Sequence, residues 1–131
     1  MDIDAGGTFN VSKEVFIQAM KGQRSGVIIN ITANIYYGGT PMMIHGGSAK
    51  AAVDATTKHL AVEWGPYGIR VMGLCPGFIE GTEGMARLSD LESIGDKEKA
   101  AKSREKGVKT DSSFIDIVPL GRLGHPKDIS K

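Results

Sequence analysis

Two β-branched apolar runs, separated by one long Ala-rich helical stretch, constrain this chain more than anything else in it. The first run is Gly26-Val27-Ile28-Ile29-Asn30-Ile31-Thr32, with Asn30 the lone polar residue before Thr32. A run without alternation is typical of a strand buried on both faces of a parallel sheet. The helical stretch, Ser48 to Trp64, is closed by Gly65-Pro66, which cannot extend it. The second run, Arg70 to Cys75, stops at Pro76-Gly77. Strand, helix, strand predicts a right-handed βαβ unit and an α/β protein. Ligands of such sheets bind beyond the C-terminal strand ends, here Thr32-Ala33-Asn34 and Cys75-Pro76-Gly77-Phe78-Ile79. An earlier helix is predicted from about Thr8 to Met20. There Phe9, Val15, Phe16, Ala19 and Met20 fall near helical spacing, and Lys21-Gly22 supplies a stop.

Composition narrows the function. The chain has 131 residues, enough for one domain with a real core. A formal net charge of +1 argues against general attraction to nucleic acid or acidic membranes. No apolar run approaches the roughly 20 residues of a membrane span, and Met1-Asp2-Ile3-Asp4 is no secretory signal. One cysteine, Cys75, allows no internal disulfide and fits a reducing compartment. No Cys or His pair stands at ligand spacing, so no metal site is expected. The 18 glycines cluster at turns. Neither G-x-G-x-x-G nor G-x-x-x-x-G-K-[ST] is present. Asp96 to Lys109 is rich in Lys and Arg and reads as a solvated helix in an insertion.

Lys50 lies in His45-Gly46-Gly47-Ser48-Ala49-Lys50 at the head of the long helix, and the residue four before it is Gly46. Around it stand Met1-Asp2-Ile3-Asp4, Gly7-Thr8-Phe9-Asn10-Val11-Ser12, Val27 to Ala33, His59 to Pro66, and Gly81-Thr82-Glu83-Gly84. In register over nearly the whole chain, and weakest from Leu88 to Ser113, these motifs resemble the C-terminal half of the short-chain dehydrogenase/reductase family. Within it they resemble the peroxisomal branch of 2,4-dienoyl-CoA reductases. The resemblance implies a Rossmann-type doubly wound parallel sheet, incomplete, with the N-terminal strands and the last strand missing. Residues 1–131 are then one partial domain with no second domain, from a fragment or truncated gene product expected to bind NADPH poorly on its own.

Aligning on Lys50 places Gly46 where the family has its proton-donating Tyr, Ala33 where it has Ser, and Asp4 where it has Asn. The resemblance therefore implies NADPH-dependent reduction of a 2,4-dienoyl-CoA to a 3-enoyl-CoA in peroxisomal β-oxidation. The chemistry agrees with those departures. Ketone reduction needs a proton donor beside the carbonyl carbon, with a cation lowering its pKa. In a conjugated dienoyl thioester, charge builds on the distant thioester oxygen, so a cation plus a carboxylate or ordered water can serve instead. Lys50 is the implied catalytic and ribose-binding residue. Asp4 has two readings, a helix N-cap or the carboxylate that holds the proton-delivering water.

Pro76, Gly77, Ile79 and Thr82 resemble the family's nicotinamide-binding segment, and Arg87 resembles a basic residue that contacts the coenzyme A portion. The charged 96–109 segment has a second reading, beside the substrate mouth. Tyr36 is a candidate acid or pocket wall. His45 is read as packing, and His59 and His125 as surface residues. Partners implied are an acyl-CoA thioester and a homo-oligomer formed through helices 8–20 and 48–64. The alternatives are a carbonyl or 3-oxoacyl reductase, which the missing Tyr and Ser disfavour, and a non-catalytic fragment that only associates with other subunits.

Overall fold

The computed structural model describes residues 1–40, 43–85 and 115–130, in two compact units, Met1–Pro76 and Gly77–Lys131. The first unit opens with a π-helical turn, Asp2–Gly6, that leads into α1 (Gly7–Val15), a second π turn (Phe16–Met20) and α2 (Lys21–Gln23). Strand β1 (Gly26–Ile31) follows, then a short helix α3 (Ile35–Gly38), the long helix α4 (Ile44–Trp64), a 3-10 turn (Gly65–Tyr67) and β2 (Ile69–Leu74). The strands pair in parallel, Gly26 opposite Ile69 through Ile31 opposite Leu74. The expected strand–helix–strand unit is thus present, with boundaries within one residue at β2.

The helices run further than periodicity indicates. Gly22 does not stop the first one; Arg24 does, in the left-handed conformation at φ 54°. α4 begins at Ile44 rather than Ser48, so Gly46 and Gly47 are helical. Its alanines favour the helix, and Pro66 blocks continuation. Gly68, at φ 75°, then turns the chain into β2, and a Cβ there would lie 2.5 Å from the Arg24 carbonyl oxygen. Only glycine satisfies both demands. The Arg24 guanidinium donates to the Pro66 carbonyl at 2.8 Å, joining the two turns that feed the strands.

The core lies between one sheet face and the stripe Val53, Thr57, Leu60 and Trp64 of α4, all buried. Leu60, Trp64, Ile69 and Val71 form a cluster against which Phe16, Met20 and Ile28 pack. Phe16 stacks on Trp64 with ring centroids 4.3 Å apart and meets Tyr67 edge-on. The expectation that β1 is buried on both faces fails. Val27, Ile29 and Ile31 are 43%, 56% and 51% exposed. α4 covers the face bearing Ile28 and Asn30; among the described residues no element covers the other. Phe9 and Val15, expected on the apolar stripe of the first helix, are also exposed.

In the second unit, Met85 and Leu123 are buried among Phe78, Ile115 and Val118. Ile79 forms a parallel bridge with Gly124, where a Cβ would lie 2.5 Å from the Ile79 side chain. α5 (Pro126–Ser130) follows. Among the described residues no helix is long and apolar enough to cross a membrane.

Trp64→Ala removes the ring on which Phe16 stacks and opens a cavity at the base of α4. The expected loss is about 3–5 kcal/mol, a large part of the roughly 5–15 kcal/mol a domain has. Urea unfolding should show a lower midpoint with little change in slope.

Candidate functional site

The site forms where the C-terminal end of β1, the second turn of α4 and the first helical turn of the chain converge. Lys50 is brought there by helical spacing, since it continues the buried stripe of α4 by one turn. Its ammonium group donates to the carboxylate of Asp4, at 3.0 Å, and to the backbone carbonyl of Ile31, at 3.0 Å. The Lys50 side chain is 23% exposed and that of Asp4 44%. A pair this accessible contributes little to stability, about 0–1 kcal/mol. An ammonium has three N–H donors, and these two acceptors leave one for a ligand.

Asp4 is not a helix cap. The helical run starts two residues before it, no side chain caps that start, and its carboxylate turns to Lys50. Asp4 sits inside the widened π turn Asp2–Gly6, a feature common at functional sites. A groove of about 520 Å³ runs from this pair along α1 and β1, past Val11, Val15 and Val27. At Gly46 a Cβ would meet the Met43 side chain at 3.4 Å and that of Ile35 at 3.7 Å. Apolar atoms therefore border any side chain placed at Gly46.

Two interactions here escaped sequence reasoning. The carbonyl of Ile31 has no sequence signature. Asn30 did leave a signal, as a lone amide in an apolar strand. It is buried, and its side-chain amide donates to the Thr57 hydroxyl at 2.9 Å, which in turn donates to the Val53 carbonyl at 2.7 Å.

Tyr36 sits on α3 and is not brought to Lys50 by any hydrogen bond. With Ile35, Met43, Ile44, Gly47 and Ala51 it lines a separate pocket of about 580 Å³. The Tyr37 phenol, burial and the Asp54 carboxylate push its pKa well above the usual tyrosine range. Asp54 itself is held below the ordinary carboxylate range, first by Lys58 at 2.6 Å and then by Tyr36. A phenol made more reluctant to ionise is a poor proton donor, which weighs against Tyr36 as the acid.

The predicted nicotinamide segment is divided by the unit boundary. Pro76 ends the first unit; Gly77, Ile79 and Thr82 belong to the second. Glu80 N–H donates to the Gly124 carbonyl and Gly124 N–H to that of Phe78, so the Ile79 N–H lies outside the bridge. The Thr82 hydroxyl donates to the Ile79 carbonyl at 2.9 Å and accepts from the Met85 N–H. Arg87 and the 96–109 segment lie outside the described residues.

The Tyr36 hydroxyl is enclosed and has no hydrogen-bond partner of good geometry. Tyr36→Phe is therefore expected to leave the midpoint of chemical unfolding unchanged or raise it slightly. A clear loss would show that the hydroxyl is held by Asp54 after all.

Comparison with known proteins agrees with this geometry. The family described as short chain dehydrogenase matches residues 1–92. A peroxisomal 2,4-dienoyl-CoA reductase of Rattus norvegicus is 54% identical over 131 residues, which covers 99% of this chain and 39% of that protein. The chain thus spans about two fifths of the length of that relative. The crystal structure of an NAD+-bound xylitol dehydrogenase superposes with a TM-score of 0.82 at 29% identity, over 97% of this chain and 47% of that one. ElxO with NADP bound superposes with a TM-score of 0.70 at 28% identity, over 95% of this chain and 43% of that one. The chain belongs to the short-chain dehydrogenase family.

Proposed function

We propose that this sequence is part of an NADPH-dependent 2,4-dienoyl-CoA reductase that yields a 3-enoyl-CoA in peroxisomal β-oxidation. One observation carries the reading. Lys50 and Asp4 form a direct pair, while Gly46 and Ala33 stand where ketone reduction needs Tyr and Ser. The family relation supports a nicotinamide cofactor, and the name of the rat relative supports the dienoyl-CoA substrate and the compartment.

The residues present suit a nicotinamide nucleotide. By the family resemblance, Lys50 in the first unit would hold the ribose hydroxyls; in the chain that runs on from Pro76, Gly77, Ile79 and Thr82 would supply the segment that binds the carboxamide. The cofactor, when bound, supplies hydride. Lys50 offsets the negative charge that develops on the thioester oxygen. Asp4, with one oxygen on Lys50, holds on the other the water that delivers a proton. Tyr36 is kept as a wall of the acyl pocket, and Arg87 as a contact for the coenzyme A phosphates. The exposed faces of helices 8–20 and 48–64 are proposed as the oligomer contact.

The test follows NADPH oxidation by a complete reductase that carries this sequence, with a 2,4-dienoyl-CoA and a 3-oxoacyl-CoA compared. Lys50→Ala is expected to lower kcat about 10²–10³-fold, as when one preorganised donor is lost. Asp4→Asn keeps the shape but not the charge, so dienoyl turnover should fall strongly while the unfolding midpoint holds. Gly46→Tyr with Ala33→Ser should gain little ketone reduction, because the phenol would occupy space that the extended thioester needs. A wild type that prefers the 3-oxoacyl substrate would refute the proposal, and no turnover of either would favour a non-catalytic, associating role.

A further inference from the structure

We infer that Thr57 and Asn30 are positioning residues for Lys50. They set the axial register of α4 on the sheet, and so decide whether the ammonium group reaches both of its acceptors. Thr57 is 4% exposed and Asn30 7%. The Thr57 hydroxyl accepts from Asn30 of β1 and spends its single proton on the Val53 carbonyl of α4. Its methyl group borders the position opposite, since a Cβ on Gly73 of β2 would lie 3.9 Å from it. Asn30 and Gly73 are register partners in the two strands. One side chain therefore pegs the helix to β1, at the rung where Gly73 of β2 carries no side chain to crowd its methyl group.

Lys50 lies seven residues before Thr57, about two turns along the same face of α4. Its acceptor, the Ile31 carbonyl, belongs to the residue next to Asn30. The peg and the ammonium contact thus join the same two elements at adjacent strand positions. Without the peg, α4 can slide or rotate on an apolar contact that is smooth elsewhere: Val53, Leu60, Ile69 and Val71 offer no directional bond. A shift of about 1 Å is enough to break a 3.0 Å contact to Ile31.

The test has two arms. The first needs no assay of activity. In 15N-lysine-labelled protein at low temperature, an ammonium held by two acceptors gives a protected 1H–15N signal, assigned to Lys50 by its loss in Lys50→Ala. Thr57→Val is expected to abolish that protection, and Thr57→Ser, which keeps the hydroxyl, to retain it. The paired Asn30→Leu/Thr57→Val protein leaves no orphaned donor. It is measured alongside, in case Thr57→Val alone unfolds, and the same loss is expected.

The second arm rests on the reductase reading. Thr57→Val should lower kcat about tenfold when Lys50 is present and less than about twofold in the Lys50→Ala background, because residues that act through one another are not additive. Equal losses in both backgrounds would reduce Thr57 to a general packing residue and overturn the inference. So would unchanged protection in the folded Thr57→Val protein, or an unprotected wild-type Lys50. Protection that changes as expected in a protein without dienoyl-CoA turnover would uphold the positioning role and sink only the reductase reading.

Discussion

The first unit is built on one face of α4, the stripe Lys50, Val53, Thr57, Leu60 and Trp64. From Val53 onward its members are buried against the sheet and the Phe16 ring. The stripe reaches the C-terminal edge of the strands at Lys50, whose side chain is partly buried. Packing along the stripe and the Lys50 contacts at its end therefore share a single constraint, the register of helix on sheet. Apolar contact alone specifies that register poorly, because it is non-directional. The Asn30–Thr57–Val53 chain supplies the direction, and its burial makes an unmade bond there expensive.

The ion pairs divide by what they can do. Lys58–Asp54 lies one turn apart on a helix, and Arg122–Asp128 links α5 to the strand-like segment before it. Both are local pairs screened by solvent, so neither contributes much to stability. Lys50–Asp4 differs in that it joins segments 46 residues apart and shares its cation with a strand carbonyl. A pair so placed adds little stability, yet it fixes where positive charge sits relative to the end of β1.

Much of this was legible in the sequence. β1 and β2 announce themselves as β-branched runs that end in polar or Pro-Gly segments, and α4 by its alanines and its Gly-Pro stop. What failed did so for identifiable reasons. Gly6-Gly7 and Gly22 look like helix ends, but the first helix runs through them and stops at Arg24, whose left-handed backbone no pattern foretells. The unbroken apolar run of β1 indicates two covered faces, yet one face is bare among the described residues. Lys50 was marked out by its motif, and Asp4 by the resemblance, while the cap reading of Asp4 rested on a helix start placed too late. Tyr36 is a candidate from its place just after the first strand; the fold instead encloses its hydroxyl beside a separate pocket. No spacing rule links Asn30 to Thr57, 27 residues on, because only the crossover of α4 brings them together.

A lysine is ordinarily a point charge on a flexible stem, with three donors free to rotate. At this site that freedom is gone. The stem is fixed by α4, and two of the three N–H directions are taken by Ile31 and Asp4. Because an ammonium group is tetrahedral, fixing the stem and two hydrogens fixes the third. The spare donor thus has a definite bearing, and Lys50 becomes a directional group. The same reasoning explains why the carboxylate lies so close to the cation. Asp4 accepts only one bond from Lys50, and in doing so its remaining oxygen is oriented as well. Two groups that would each be mobile alone orient one another, with the strand carbonyl as their common reference.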